Sequence, residues 1–282
     1  RQPMLAHTKA FLAIWHDLLP DGKIEWERWH TYEHMPERVG IPGFLGGRRY
    51  MNHDDTEQCC FTVYEGNELS VFKSPAYLER LNNPTPWTRS NAPTFRNFTR
   101  GACRCVSSFG PEHGYGGSVM TIRLQRDATF SEDTERFNQL TKSASEVDGV
   151  LAVTLGLCDS EITATETAER KLRKGTDETS LDGVLILEGY DAATLESRGE
   201  DIHKLVLSAN INLTPHGTGT VILPSGYEDR AGFQNQSVAN KAYVDQVAQG
   251  LDTKPSCRLG TTVNLAATYS NGTAGVGATL TA

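Results

Sequence analysis

The feature that most constrains the fold of this chain is an order of apolar segments that occurs twice along it. Extended apolar runs typical of strands alternate with stretches typical of helices, in the order strand, helix, strand, strand, helix, strand. Pro36 disfavours helical backbone at Met35, so we expect it to end or kink the first helix. The six segments of the first copy are residues 9–18, 24–35, 43–52, 57–66, 68–82 and 101–110.

The same order returns after a glycine-rich joint at residues 110–118. This order is the ferredoxin-like plan, so we predict an α+β fold of two tandem ferredoxin-like units, residues 1–112 and 113–226. Helices cover one sheet face of such a unit and leave the other bare. The two bare faces are therefore expected to close into one α/β barrel. Two independent α+β domains are the alternative, and they would leave both sheets half exposed.

Composition excludes several classes of partner. The formal charge is -8, and no stretch concentrates Lys and Arg enough to bind nucleic acid. The densest basic run, "ERKLRKGTDE", is flanked by acids and is expected to be a solvated loop. No window of eighteen apolar residues predicts a membrane span. The sequence has no G-x-G-x-x-G after a strand, no Walker motif and no G-x-S-x-G elbow.

The six cysteines show neither C-x-x-C pairing nor zinc-finger spacing. Cys59, Cys60, Cys103 and Cys105 lie in apolar strand-like runs, and adjacent cysteines point to opposite faces of a strand. We therefore expect buried free thiols and a cytoplasmic protein.

Residues 227–282 form a distinct extension. They are poor in charge and rich in Thr, Ala, Gly and Asn, and "SVANKAYVDQVAQGL" is compatible with a short amphipathic helix. The motifs "NKAYVD", "GLDTKPS" and "NGTAGVGATLT" resemble repeat segments of phage tail-fibre proteins. That resemblance implies self-association into a homo-oligomer through the tail. A flexible low-complexity tail is the alternative.

A polar and aromatic cluster, "ERWHTYEHMPERVGIPGF", carries the candidate chemistry. His30 and His34 are four residues apart, so on a helix they are stacked neighbours. "HTYEH" matches the H-x-x-E-H pattern of inverted zinc peptidases. No third ligand is evident, and Pro36 would shorten that helix, so we predict no metal while zinc remains an alternative.

A second hypothesis places general acid–base catalysis at the mouth of the barrel. His34 would be the acid–base group, His30 its neighbour and Arg49 an anion clamp. Aromatic side chains and a second arginine would form the walls of a small-molecule pocket. These predicted substrate-binding residues are Trp15, Trp29, Tyr64, Trp87 and Arg48.

The third hypothesis is structural: both histidines would only pair with Glu27, Glu33 or Glu37 and fasten the helix end. The second copy bears on this choice. When Gly149 is aligned with Gly43 without gaps, Arg136 falls opposite His30 and Leu140 opposite His34. The second copy lacks both histidines, which favours a single functional pocket in the first unit.

The stretches "WHTYEHMPERVGIPGFLGGRRY", "SPAYLERLNNPTPWTR" and "FRNFTRGACRCVSSFG" resemble an uncharacterised bacterial family of the dimeric α/β-barrel superfamily. EthD-like proteins, antibiotic-biosynthesis monooxygenases and muconolactone isomerases are relatives in that superfamily. Over residues 9–226 the resemblance implies a small-molecule enzyme or binder with acid–base chemistry: an isomerase, a lyase or a cofactor-independent monooxygenase. It implies no cofactor, although several double ferredoxin-like enzymes bind haem through one histidine, so haem remains an alternative. A structural, phage-derived protein that assembles through its tail is the rival hypothesis.

Overall fold

In the computed structural model of the chain, the described residues are 8–53, 57–111, 116–173, 181–215, 221–224, 238–240, 268–270 and 279–281. The chain divides into two compact units, residues 1–241 and 242–282. In the smaller unit, Thr268–Ser270 pairs antiparallel with Thr279–Thr281.

The first half of the larger unit alternates strands and helices in the predicted order. Its strands are β1 (Ala10–Leu18), β2 (Phe44–Met51), β3 (Cys60–Gly66) and β4 (Phe95–Phe109). Its helices are α1 (Lys23–Trp29), α2 (Met35–Val39), α3 (Pro75–Asn82) and α4 (Pro86–Asn91). A π-helical segment, His30–His34, joins α1 to α2.

The second half follows with six strands and five helices among the described residues. Its strands are β5 (Ser118–Arg126), β6 (Val150–Cys158), β7 (Gly183–Gly189), β8 (Leu213–Pro215), β9 (Val221–Pro224) and β10 (Val238–Asn240). Its helices are α5 (Thr134–Ser145), α6 (Ser160–Thr163), α7 (Ala168–Leu172), α8 (Ala192–Ser197) and α9 (Gly199–Ser208). Four of these helices begin at a side-chain cap that accepts a hydrogen bond from the backbone amide three residues on. The capping residues are Asp133, Asp159, Thr167 and Asp191.

All ten strands given for the larger unit belong to one antiparallel sheet. Along it the order is β10–β2–β3–β1–β4–β6–β7–β5–β8, and β9 also pairs with β5. The pairing of β4 with β6 joins the two halves. The sheet curves until the Cα atoms of β9 come within 8 Å of those of β2. The predicted α+β class, with an antiparallel sheet and packed helices, is confirmed.

The two halves of the curved sheet pack their inner faces against each other. Trp15 on β1 donates its indole N–H to the hydroxyl of Thr121 on β5 at 3.0 Å, although these strands are not neighbours in the sheet. Arg48 on β2 likewise donates to Glu188 on β7 at 2.9 Å. Buried apolar side chains from both halves fill the space between the faces. They include Phe11, Ala13, Trp15, Tyr50, Phe61, Val63, Val119, Val184 and Ile186.

The helices cover the outer face of the sheet. In the second half they bury one large aliphatic cluster around Leu140, Leu155 and Ile202. In the first half the corresponding cluster is aromatic and smaller, and it includes Trp26, Trp29, Phe95 and Phe98. Polar side chains share that outer layer in the first half, and this difference positions the site described below.

Of the two outcomes expected at Pro36, an end or a kink of the first helix, the structure does not show an end, because the helical path continues past the proline. The chain passes through a π-helical turn, in which the amide of Met35 donates to the carbonyl of His30, five residues back. Proline has no amide to donate and its ring crowds the preceding turn. A wider π turn accommodates both effects, and the helical path continues to Val39 before ending at Gly40.

Two further expectations need correction. Cys103 on β4 and Cys158 on β6 lie opposite each other in register and form a disulfide, so free thiols were wrong for this pair. Cys59, Cys60 and Cys105 are free. The helix expected in the tail is wrong at its start, because Val238–Asn240 forms β10 and pairs with β2. Most of the rest of that tail, residues 241–267 and 271–278, lies outside the described residues.

Candidate functional site

A cavity lies between the outer face of the first half of the sheet and the helices that cover it. Its floor comes from β1, β3 and β4, and its walls come from the π segment, α2, α3 and the chain around α7. The volume is about 50 Å³, on a scale in which one water molecule needs about 10–15 Å³. The lining residues are Leu12, Ile14, His16, His30, His34, Arg38, Thr62, Tyr64, Phe72, Tyr77, Leu78, Leu81, Phe95, Phe98, Arg100, Thr165, Thr167, Glu169, Arg170 and Arg173.

This location differs from the barrel mouth that was expected. The facing sheet surfaces are filled by the aromatic and aliphatic cluster around Trp15 and Phe61. The open space lies instead on the opposite face of the same strands. A cavity of this size accepts a few water-sized molecules or one very small organic molecule.

The π segment delivers two imidazoles to this cavity. The ring centroids of His30 and His34 lie 5.3 Å apart. The ring of His30 packs 4.8 Å from that of Trp26, and the ring of His34 packs 4.3 Å from that of Trp29. The side chains are therefore held by aromatic contacts on one side and face the cavity on the other. Only 4% of His30 and 8% of His34 is exposed.

Burial keeps the imidazoles neutral. Loss of solvent lowers the pKa of His30 well below its ordinary value, and the charge of Arg49 lowers it further. Burial, followed by the charge of Arg38, does the same to His34. The Nδ1 atom of each ring is buried and has no hydrogen-bond partner among the described residues.

A third histidine, which the sequence did not single out, belongs to the same cavity. His16 on β1 is buried, and burial lowers its pKa to about 3. Its Nδ1 lies 3.1 Å from the carbonyl oxygen of Asp17. A carbonyl only accepts, so Nδ1 carries the proton and Nε2 holds a lone pair. That Nε2 is buried without a partner in the part of the chain that the structure describes.

Two acidic side chains of the cluster, Glu33 and Glu37, serve other partners than the histidines. Glu33 accepts hydrogen bonds from Trp29 at 3.1 Å, from Thr88 at 3.4 Å and from Thr85. These bonds fasten the helical segment to α4. Glu37 pairs with Arg38 at 3.0 Å. The structural hypothesis therefore explains the roles of these carboxylates, but it gives Nδ1 of both imidazoles no role.

The second half of the larger unit completes the cavity through Thr165, Thr167, Glu169, Arg170 and Arg173. The "ERKLRKGTDE" run begins here, and its first residue, Glu169, is buried rather than solvated. Its carboxylate forms an ion pair with Arg38 on α2. The expectation of a solvated loop is therefore wrong for residues 169–173, while residues 174–178 of the run lie outside the described residues.

Two buried hydroxyls also lie in the lining. The phenol oxygen of Tyr64 and the Oγ1 of Thr62, both on β3, have no hydrogen-bond partner within the described residues. Burial raises the pKa of Tyr64 above its ordinary value, so the phenol stays protonated and can donate a hydrogen bond. Buried polar atoms of this kind usually mark a place where water or a ligand binds.

The structure brings three of the predicted site residues together: His30, His34 and Tyr64 all line the cavity. Trp29 and Trp87 lie nearby without lining it, and each indole donates to a carboxylate, of Glu33 and Glu25 respectively.

The other three predicted residues lie elsewhere. Arg49 lies under α1, donates to Thr31 at 3.0 Å and stacks 5.0 Å from the Trp26 ring. Trp15 and Arg48 project from the inner face of the sheet, where Arg48 joins Glu65 and Glu188.

The residues of the site do not fit the metal and cofactor alternatives. Across the described ranges, no group of three or more His, Cys, Asp or Glu side chains is arranged to hold a metal ion. The cavity is far smaller than the several hundred Å³ that larger ligands occupy, so a haem macrocycle does not fit among these side chains. Within the part of the chain that the structure describes, every helix is too short or too polar to cross a bilayer.

Comparison with known proteins gives a fold. No protein-family model and no curated sequence matches this chain. The structure described as an anthrone oxidase-like protein is 10% identical, with a TM-score of 0.52 over 83% of this chain and 99% of that chain. A monooxygenase-like protein from Listeria innocua is 12% identical, with a TM-score of 0.37 over 82% and 100% of the two chains. A mutant chlorite dismutase from Candidatus Nitrospira defluvii is 11% identical, with a TM-score of 0.47 over 87% and 98%. The first of these likenesses shows a shared fold.

Proposed function

We propose that this chain is a small-molecule enzyme or binder that performs acid–base chemistry in the cavity of its first half. His34 is the proton-transfer group and His30 is its neighbour. The reaction needs no cofactor and is of the isomerase, lyase or monooxygenase type. In the same proposal, residues 1–112 and 113–226 are tandem ferredoxin-like units that form one barrel, and residues 227–282 are an extension.

One observation carries the proposal: two neutral imidazoles are held 5.3 Å apart by a π-helical turn in an enclosed, positively charged cavity. π-Helical turns are rare in proteins overall, but those that occur are often found at functional sites. The helix in the equivalent place of the second half, α5, is α-helical throughout and buries Phe137 and Leu140 instead. Stability alone does not require such a turn, because α5 covers its part of the sheet without one.

The chemistry follows from the protonation states. A neutral imidazole can accept a proton from a carbon next to a carbonyl group. The electron pair of the broken C–H bond then forms an enolate, and its negative charge moves to the carbonyl oxygen. The arginine charges and the Tyr64 hydroxyl stabilise that oxygen. If a carbon–carbon double bond adjoins the deprotonated carbon, the enolate is conjugated, and return of the proton from His34 to the far carbon of that double bond completes an isomerisation.

The same base would serve a lyase or a monooxygenase with dioxygen as co-substrate. His30 packs 4.8 Å from the Trp26 ring and 5.3 Å from the His34 ring, so it helps to position His34. Arg49, proposed from the sequence as an anion clamp, instead braces the helix that carries the imidazoles. Its bond to Thr31 and its contact with Trp26 support this positioning role.

The test is solvent exchange at carbon. Small carbonyl compounds are incubated with the protein in deuterium oxide and followed by proton NMR. The wild-type protein should catalyse exchange, and His34→Ala should lower the rate by about 100-fold or more, the usual contribution of a general base. His203→Ala, a half-buried histidine on α9 outside the cavity, is the matched control. Equal rates for wild type and His34→Ala would remove the proposal.

The rival hypothesis, a protein that assembles through its tail, gains nothing from the structural neighbours described above. Its decisive residues lie largely outside the described part of the chain. Deletion of residues 232–282 with measurement of the molecular mass in solution tests it directly. A smaller particle after deletion would support that function for the tail.

A further inference from the structure

The cavity contains one buried carboxylate among several guanidinium groups. Arg38, on α2, is 2% exposed and forms an ion pair with Glu169. The other carboxylate oxygen of Glu169 lies 3.8 Å from Arg173. The carboxylate therefore bridges two arginines that reach it from different segments of the chain.

This carboxylate is not part of the surface that carries the imidazoles. Glu169 lies on α7, a helix of five residues that begins at the Thr167 cap. Arg38 lies 131 residues earlier, one helical turn beyond His34. Residues four apart on a helix are neighbours, with about 5–6 Å between their Cβ atoms. A carboxylate on Arg38 would consequently place its adjacent carbon close to His34.

The charged side chains of the lining are mostly basic. Among the described residues that line the cavity, four are arginines and Glu169 is the only acidic one. The three histidines of the lining are neutral because burial lowers the pKa of each. The lining therefore carries a net positive charge, which Glu169 offsets in part. Two carboxylates outside the lining offset a further part, since Glu37 pairs with Arg38 at 3.0 Å and Glu166 lies 3.7 Å from Arg170.

We propose that the cavity binds a small carboxylate, and that Glu169 occupies the position of the ligand carboxylate when no ligand is bound. This inference rests on the proposed function, because it assigns a substrate class to the same cavity. The ligand carboxylate takes the place of the Glu169 carboxylate on Arg38 and Arg173. Both guanidinium groups therefore keep a carboxylate partner after the exchange. The carbon next to the ligand carboxylate then faces His34. The small volume of the cavity without ligand follows, since Glu169 already fills part of it.

The experiment compares ligands that differ only in charge, propionate and propionamide, in wild type and Glu169→Gln. Glutamine keeps the shape of the side chain and removes its charge. Propionate should bind Glu169→Gln at least about tenfold more tightly than wild type, because a competing anion has been removed. Propionamide affinity should not change. Calorimetric titration gives both affinities directly.

Glu132→Gln is the matched control, because Glu132 also pairs with an arginine, Arg104 at 2.8 Å, but lies outside the cavity. It should leave propionate affinity as in wild type. If Glu169→Gln does not fold, Glu169→Asp draws the carboxylate back by one methylene and should act in the same direction. Unchanged or weaker propionate binding in the folded Glu169 variants overturns the inference, as does the absence of propionate binding in all of them.

The two proposals fail separately. Solvent exchange that depends on His34 but is catalysed only on uncharged compounds would retain the acid–base function and remove the carboxylate assignment. Tighter propionate binding in Glu169→Gln, together with exchange rates that His34→Ala does not change, would retain the carboxylate assignment and remove the acid–base function.

Discussion

Neutral buried histidines should make the stability of this protein fall steeply in mild acid. His16 is the best-defined case: its pKa is lowered from 6.5 to about 3 in the folded protein, chiefly by burial. Between these values the unfolded chain binds a proton that the folded chain does not. The free energy of unfolding therefore falls as the pH drops through this window. From about pH 7.5 to about pH 5.5, His16 alone should lower it by about 1.4 kcal/mol.

His30 and His34 act in the same direction, because the pKa of each also lies well below its ordinary value. The three histidines together should therefore lower the free energy of unfolding by more than His16 does alone. For comparison, about 5–15 kcal/mol stabilises a typical domain. Urea unfolding at the two pH values, followed by tryptophan fluorescence, measures the loss.

The variant His16→Asn isolates the contribution of one histidine. An asparagine amide can still donate to the carbonyl of Asp17 but does not titrate. The variant should be less stable than wild type at neutral pH, yet lose about 1.4 kcal/mol less on acidification. Other titrating groups contribute equally to both proteins and cancel in the comparison. An identical loss in wild type and variant would refute the buried, neutral state of His16.

Three further predictions concern the scaffold. Arg48→Met leaves two buried carboxylates without their guanidinium partner and should lower the free energy of unfolding, measured in urea, by about 3–5 kcal/mol. A loss below about 1 kcal/mol would contradict the buried network. Gly47→Ala places a methyl group 2.9 Å from the Tyr64 ring and should lower the free energy of unfolding by about 1–3 kcal/mol, measured by thermal unfolding. An unchanged melting temperature would contradict the tight packing at the cavity floor. Under denaturing conditions without reductant, Cys103 and Cys158 should resist alkylation and become reactive only after reduction, as peptide mass spectrometry can show. Alkylation of both without reductant would remove the disulfide.

The alternation of strand and helix patterns was sufficient to predict the elements of the fold. Periodicity predicted the antiparallel α+β architecture because each strand buries at least one apolar face. It did not predict how the strands would be arranged around a site. Arg48 and Arg49 were both assigned to the pocket, although neighbours in a strand point to opposite faces. Which of them faced the helices depended on the strand register, which the sequence alone does not reveal.

The cluster at His30 and His34 was recognisable because few soluble segments gather so many aromatic and titratable groups. His16 was missed because it lies in an apolar strand with no pattern around it. The contribution of Glu169 was missed for a different reason. It belongs to a short charged helix whose partner, Arg38, lies 131 residues earlier, and no local pattern reports such a contact. The disulfide between Cys103 and Cys158 could not be predicted either, because no local pattern reports a contact between two distant parts of the chain.

The π-helical turn makes the site sensitive to chain length. Loss of one residue between His30 and His34 would let α1 and α2 merge into one regular helix. The regular helix would absorb the deletion, and the spacing of the two histidines would fall from four residues to three. The imidazoles would then lose their present 5.3 Å arrangement, and the Pro36 ring would crowd the carbonyl four residues before it, which the wide turn now avoids. A single inserted or deleted codon is thus enough to create or remove this arrangement on an otherwise unchanged sheet.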